Sequence, residues 1–162
     1  MHEQPTETLE DANGWARGAD EETLRGAETI LFVEDEAFVR DVACEVLRSA
    51  GYRVLAAKNA TEAIRSHDAR RGEVELLLTD VVLPGETGLA LAGRLRREDP
   101  ELKVLLVTGY AEQMGRREAQ HEKCLAKPFS TEALLQSVRH LLDDGEIGIA
   151  AGDLVTHACG NG

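Results

Sequence analysis

Short, unbroken aliphatic runs recur along the middle of this chain. A strand covered on both faces reads as a continuous apolar run, whereas a strand with one wet face alternates apolar and polar residues. The runs therefore predict five buried strands of a parallel sheet. They are TILFV (29–33), YRVLAA (52–57), VELLLT (74–79), LKVLLVT (102–108) and KCLA (123–126).

The segments between these runs carry the 3.6-residue apolar period of amphipathic helices. Gly51 is placed to end the first helix in a left-handed conformation, and Asn59 to cap the second. A fourth helix, predicted at about 111–120, has a thin apolar stripe. This alternation predicts an α/β fold: a doubly wound, five-stranded parallel sheet in the flavodoxin-like order 2-1-3-4-5, with helices on both faces.

Two tails are expected to flank one domain. Residues 1–27 contain seven acidic and two basic side chains, the single Trp15 and no buried period, which predicts a disordered acidic tail. Residues 28–144 form the predicted domain. Residues 145–162 contain five glycines and no Lys or Arg, which indicates a flexible C-terminal tail.

Charge and cysteine usage exclude several functions. With 18 basic and 30 acidic residues the net charge is −12, so we expect no nucleic-acid partner. No apolar stretch is long enough for a membrane span, so we also expect no membrane association. The cysteines, Cys44, Cys124 and Cys159, are odd in number and form no CxxC pair, which favours a soluble protein of a reducing cytoplasm with Cys124 as a small core residue. The five histidines show no metal-ligand spacing, and none is a candidate site residue.

Polar residues follow the predicted strands where the strands end. Glu34 and Asp35 follow the first strand, Asp80 the third, and Lys127 the fifth, while Thr108 ends the fourth. Because the carboxyl ends of parallel strands meet at one edge, we expect these residues to lie together where the strand order reverses. Clustered carboxylates require a compensating cation, and an all-oxygen donor set selects Mg²⁺. Mg²⁺ in turn implies a phosphoryl ligand, which Lys127 and Thr108 are suited to contact.

Four motifs in order along the chain resemble the receiver domain of bacterial two-component response regulators. They are ILFVEDE, LLLTDVVLPGETG, VLLVTGYA and AKPF, and the resemblance covers about residues 28–144. It implies that Asp80 is the phosphoacceptor, that Thr108 is the switch hydroxyl and that Lys127 contacts the phosphoryl group. It also implies a cis Lys127–Pro128 peptide bond. The Mg²⁺ ligands it implies are Glu34, Asp35, Asp80 and the backbone carbonyl of Val82.

One position departs from the family pattern. Receivers commonly have an aromatic switch residue three positions before the conserved lysine, and this chain has Cys124 there. Tyr110 is a candidate replacement. The TGYA arrangement and GAETILFVEDE resemble receivers attached to hybrid sensor kinases.

The resemblance predicts a single-domain response regulator. A histidine kinase or a histidine phosphotransfer protein would phosphorylate Asp80, and output would be protein–protein interaction with an unknown downstream protein. The chain would catalyse only its own phosphorylation and dephosphorylation. Three alternatives remain open: a phosphorelay shuttle, a phosphate sink, and an interaction module that works without phosphorylation. A haloacid-dehalogenase-like phosphatase fits poorly, because it needs a second Asp at the position of Val82.

Overall fold

Five strands and four helices make up the ordered core of the computed structural model, which describes residues 21–109 and 122–144. The strands are β1 (Thr29–Val33), β2 (Arg53–Ala57), β3 (Leu76–Asp80), β4 (Lys103–Thr108) and β5 (Lys123–Ala126). The helices are α1 (Ala37–Ser49), α2 (Ala60–Ala69), α3 (Gly88–Glu98) and α4 (Thr131–Asp144). The fourth helix predicted by the sequence, at 111–120, lies outside the described residues.

The sheet has the order β2-β1-β3-β4-β5, and every neighbouring pair is parallel. This confirms the predicted doubly wound fold and its strand order. In the centre of the sheet, Ile30 of β1 is paired with Val54 on one side and with Leu76 on the other. The order reverses between β1 and β3, the point at which open α/β sheets form their ligand sites.

Successive side chains of β1 pack into two different cores. Ile30 and Phe32 belong to a cluster with residues of α1 and α4, whereas Leu31 and Val33 belong to a cluster with residues of α2 and α3. All four side chains are buried. Since both faces of the strand are covered, both alternating sets must be apolar, and the strand appears in the sequence as a continuous apolar run.

The predicted helix boundaries at Gly51 and Asn59 are confirmed. Gly51 follows α1 with φ of 103°, the left-handed conformation that glycine adopts at low cost. The Asn59 side chain accepts a hydrogen bond from the Glu62 backbone N–H at 2.8 Å, which caps α2. Both ends are therefore set by local residues.

Residues before the predicted domain boundary at residue 28 already contact the fold. Glu21–Leu24 form a 3₁₀ helix that contacts α4, and the Gly26 N–H donates to the carbonyl of Ala50 at 3.0 Å. Residues 21–27, assigned to the tail by the sequence, thus lie against the fold. Residues 1–20 and 145–162, which include Trp15, are outside the described structure.

Arg139 of α4 forms hydrogen bonds to this N-terminal segment and to the residue that follows it. Its Nη1 and Nη2 atoms donate to the two carboxylate oxygens of Glu28 at 3.1 and 2.7 Å, and Nη1 also donates to the hydroxyl of Tyr52 at 3.0 Å and to the carbonyl of Arg25 at 3.1 Å. Such a two-pronged ion pair depends on the planar guanidinium fork.

Across the described ranges, none of the helices is both long enough and apolar enough to cross a membrane.

We expect Arg139→Lys to lower the free energy of unfolding by about 1–2 kcal/mol, because a single ammonium cannot reproduce the paired contacts to Glu28. Urea unfolding followed by circular dichroism measures the change. Arg97→Lys, at an exposed position of α3, is the matched control and should change stability by less than about 0.5 kcal/mol. Equal effects of the two substitutions would contradict this role for Arg139.

Candidate functional site

The predicted site residues meet at one edge of the sheet, because all five strands run in the same direction. Asp80 is the last residue of β3 and Thr108 the last residue of β4. Glu34 directly follows β1, and Lys127 directly follows β5. Glu34 and Lys127 touch although 93 positions separate them in the sequence. The topology alone brings them together.

Glu34, Asp35 and Asp80 form an acidic cluster in which one oxygen of each carboxylate lies within 4.8 Å of the others. Glu34 and Asp80 are buried, while Asp35 is exposed. Two neighbours hold Glu34 in place. Its Oε2 accepts the Glu36 backbone N–H at 2.9 Å, and its backbone carbonyl accepts a hydrogen bond from Arg40 Nη1 at 2.8 Å.

The Lys127 ammonium lies between the two buried carboxylates. Its Nζ donates to Glu34 Oε1 at 3.0 Å and lies 3.2 Å from Asp80 Oδ1. The Lys127 backbone N–H donates to the carbonyl of Thr108 at 2.8 Å, which fixes the end of β5 against the end of β4. The Lys127–Pro128 peptide bond is cis, as the sequence predicts.

Burial, together with the hydrogen bond and negative charge of Glu34, raises the pKa of Asp80 from 3.8 to about 7, and the Lys127 ammonium offsets only part of this rise. Burial also works to lower the pKa of Lys127, but the hydrogen bond to Glu34 and the negative charges of Asp80 and Glu34 outweigh it, so the net shift is upward. One ammonium therefore does not balance two buried carboxylates. A further cation at this cluster would stabilise the ionised form of Asp80.

The donor atoms fit a magnesium ion. Among the residues that the structure describes, none donates a hydrogen bond to the buried Asp80 Oδ1, and the Lys127 ammonium lies 3.2 Å away as an ion pair. The cluster offers carboxylate oxygens and no nitrogen or sulfur. Mg²⁺ binds such hard oxygen ligands, often through only one or two carboxylates, and keeps several waters.

The loop after Asp80 is shaped by two glycines. Val82–Leu83 pair with Glu86–Thr87 in a short antiparallel ribbon, and Gly85 at its tip has φ of 87°. Gly88 begins α3 directly beneath the site, and a Cβ there would collide with the backbone carbonyl of Asp80. Glycine at 88 therefore allows the helix to approach the end of β3 closely.

The structure describes two of the three candidate switch residues. Thr108 is buried at the site edge. Tyr110 lies outside the described residues. Cys124 packs against the core cluster under α2 and α3, as expected of a small strand residue, but it is disulfide-bonded. The cysteine usage predicted free thiols. Cys44 is free and buried, as expected, whereas Cys124 is not free.

Exposed apolar side chains border the cleft beside Asp80, and the sequence did not predict them. Phe38, Val42 and Val82 are 75%, 48% and 76% exposed. Val42 belongs to the 3.6-residue apolar period of α1 but is not buried, because the buried stripe of the helix, which includes Ala43 and Leu47, is narrower than that period. Phe38 and Val42 are four residues apart and form a separate ridge of the helix. This four-residue spacing was the sequence signal that could have indicated an exposed apolar ridge on α1.

The family model "Response regulator receiver domain" matches residues 30–139. The chain therefore belongs to the receiver domains of two-component response regulators.

Two curated relatives and one solved structure illustrate the range of the family. The chain is 37% identical over 123 residues to the sensor kinase CckA of Brucella abortus, covering 74% of this chain and only 13% of the kinase. It is 32% identical over 116 residues to the response regulator receiver protein CpdR of the same species, covering 70% of this chain and 95% of CpdR. A crystal structure of a CheY-like receiver protein from Methanospirillum hungatei superimposes with a TM-score of 0.67 at 27% identity, covering 75% of this chain and 98% of that one.

The raised pKa of Asp80 predicts a pH-dependent stability in the absence of metal. The folded-state pKa of about 7 lies above the ordinary value of 3.8, so the folded protein binds the additional proton and loses stability as pH rises from about 4 to 7. In EDTA at pH about 8, Asp80→Asn should therefore be more stable than the natural chain by about 1–2 kcal/mol after allowance for solvent screening.

The measurement is urea unfolding at a series of pH values in EDTA. The stability difference should shrink as pH is lowered through 7 towards 4. Asp41→Asn, an exposed carboxylate of α1, should give a small and pH-independent difference. A pH-independent gain for Asp80→Asn would show that the buried charge is not its source.

The close approach of α3 predicts that Gly88→Ala distorts the site. We expect a loss of about 2 kcal/mol or more in the free energy of unfolding, because backbone cannot yield as a flexible side chain can. Gly93→Ala, in the same helix, is the matched control: its Cβ would meet nothing within 4 Å, and it should stabilise the helix by about 0.5–1 kcal/mol. Similar values for both variants would contradict the proposed crowding.

Proposed function

We propose that this receiver domain accepts one phosphoryl group on Asp80 in a reaction that requires Mg²⁺. The observation that carries the proposal is the buried Asp80 carboxylate, with an oxygen that lacks a hydrogen-bond donor, beside Glu34, Asp35 and the Lys127 ammonium. Membership of the receiver family supports the same reaction.

Glu34, Asp35, Asp80 and the backbone carbonyl of Val82 are the groups that would hold the metal. Bound Mg²⁺ supplies positive charge that offsets the negative charge on the phosphoryl oxygens during transfer. Asp80, whose pKa burial and Glu34 raise to about 7, would be more readily ionised beside that positive charge. Ionised Asp80 is the form that can act as a nucleophile.

The transfer itself is a substitution at phosphorus. A carboxylate oxygen of Asp80 forms a new bond to the phosphorus, the bond from phosphorus to the donor's imidazole nitrogen breaks, and the imidazole keeps the electron pair and takes a proton. The product is an acyl phosphate on Asp80. Lys127 is held by Glu34 at 3.0 Å and so keeps its ammonium next to the developing charge.

Thr108 is placed to respond to the new group. It ends β4, the neighbour of β3, and its carbonyl accepts the Lys127 N–H. A phosphoryl oxygen on Asp80 would offer the Thr108 hydroxyl a charged acceptor, which makes a stronger hydrogen bond than a neutral one. The response would be a shift between two existing arrangements of the end of β4, with Tyr110 and Cys124 as further candidates for the moving parts.

The phosphodonor is a histidine kinase or a histidine phosphotransfer protein. Phe38, Val42 and Val82 provide exposed apolar contact area next to the acceptor, and a donor must approach along that side of the cleft. Output is interaction with a downstream protein. Because the similar region of CckA is one part of a sensor kinase, a phosphorelay shuttle is the second candidate function.

The test uses acetyl phosphate and Mg²⁺ with intact-protein mass spectrometry. We expect the mass of one phosphoryl group on the natural chain, none on Asp80→Asn, and none on the natural chain in EDTA. Lys127→Ala should slow the reaction by about 10²-fold or more, because it removes a charge next to the reacting group. Asp41→Asn on α1 is the matched carboxylate control and should react normally.

An undiminished mass gain in Asp80→Asn would overturn the assignment of the acceptor. No mass gain in the natural chain under any donor would favour the module that works without phosphorylation. Transfer from the phosphorylated chain to a histidine phosphotransfer protein would favour the shuttle over a terminal regulator.

A further inference from the structure

His67 is an unexplained buried polar side chain on the far side of the molecule from Asp80. It lies in the last turn of α2, and its ring is 0% exposed. Neither ring nitrogen has a hydrogen-bond partner within residues 21–109 and 122–144. The nearest charged group, Asp99 Oδ2, is 3.8 Å from Nε2, which is beyond hydrogen-bond distance. Buried polar groups without partners are rare in folded proteins, so each one calls for a cause.

Two carboxylates complete a group of three possible ligands around this ring. One ring nitrogen of His67 and one oxygen each of Asp68 and Glu98 all lie within 4.8 Å of one another. Asp68 belongs to α2 and Glu98 to the end of α3, so the group spans two helices that pack together. These helix ends lie near the amino edge of the sheet, because each helix runs opposite to the strands.

The two carboxylates already converge on a positive charge. Arg71 places Nη2 at 3.0 Å from Asp68 Oδ1 and Nη1 at 2.8 Å from Glu98 Oε1. Both carboxylates and the guanidinium are about half exposed. Exposed ion pairs of this kind are weak, so Arg71 can swing into solvent and leave the space to another cation.

We propose that His67, Asp68 and Glu98 bind a divalent transition-metal ion, with Zn²⁺ as the reference metal. An imidazole nitrogen with two carboxylate oxygens is a donor set for zinc and similar ions, whereas Mg²⁺ prefers oxygen alone. Ligands at zinc distances of about 2.0–2.2 Å lie about 3.3–3.6 Å apart in a tetrahedral site, so the exposed carboxylates need only small rotations. Water fills the fourth position.

The metal gives the imidazole nitrogen the partner that it lacks and joins the end of α2 to the end of α3. The proposal is independent of phosphorylation at Asp80. It departs from the sequence expectation that no histidine is a site residue, since the proposed ligands come from two helices and form no local motif.

The experiment titrates Zn²⁺ into the full chain in the presence of excess Mg²⁺, with a chromophoric chelator as competitor. Excess Mg²⁺ keeps the acidic cluster at Asp80 occupied. We expect Glu98→Gln and Asp68→Asn each to weaken Zn²⁺ binding about tenfold or more. Both residues are exposed, so the variants should fold. Glu101→Gln, an exposed carboxylate just after α3, should bind Zn²⁺ like the natural chain.

Two further readouts separate this site from ordinary surface binding. Arg71→Gln removes the competing cation and should tighten Zn²⁺ binding by about threefold to tenfold. Nuclear magnetic resonance should show a large shift of a His67 ring nitrogen on addition of one equivalent of Zn²⁺. Binding that Glu98→Gln and Asp68→Asn leave intact would overturn the proposal, and so would binding that Asp80→Asn abolishes. An unshifted His67 ring would also overturn it.

Discussion

The Lys127 ammonium between two buried carboxylates is the contact on which the site depends. Without it, Glu34 and Asp80 would face each other at the end of the sheet with no positive charge between them. With only this ammonium nearby, the pKa of Asp80 is still raised to about 7. The site therefore has too little positive charge to balance both carboxylates. This shortage of positive charge fits the proposal that Asp80 takes part in chemistry with a cation and a phosphoryl group.

The double-sided core makes this contact possible. β1 and β3 lie side by side in the sheet and are buried on both faces, so their carboxyl ends are held at a fixed separation. Close packing extends to the loop, where Gly88 lets α3 lie against the backbone of Asp80. A small displacement of either element would move a charge in a region of low dielectric, where electrostatic energies change steeply with distance.

The two ends of the molecule differ in how their charges are balanced. At the carboxyl edge of the sheet, the buried carboxylates of Glu34 and Asp80 share one partly buried ammonium, that of Lys127. At the opposite edge, exposed carboxylates of Asp68 and Glu98 share the exposed Arg71 above a buried, unpartnered His67. The first arrangement is held by burial and by hydrogen bonds to Glu34. The second is weakly held, and such a position can exchange one cation for another at little cost.

The sequence by itself determined the fold class, the strand order and the membership of the acidic cluster. Continuous apolar runs identify buried parallel strands, and the direction of those strands fixes which residues meet at one edge. Local signals also determined the ends of helices at Gly51 and Asn59, because capping depends on neighbouring residues alone. Tertiary structure decided everything that depends on distance and burial: the position of the Lys127 ammonium, the raised pKa of Asp80, the exposure of Val42 and the meeting of His67 with Glu98. Hydrophobic periodicity describes which face of an element is apolar, but only packing determines how much of that face is covered and which charges are removed from water.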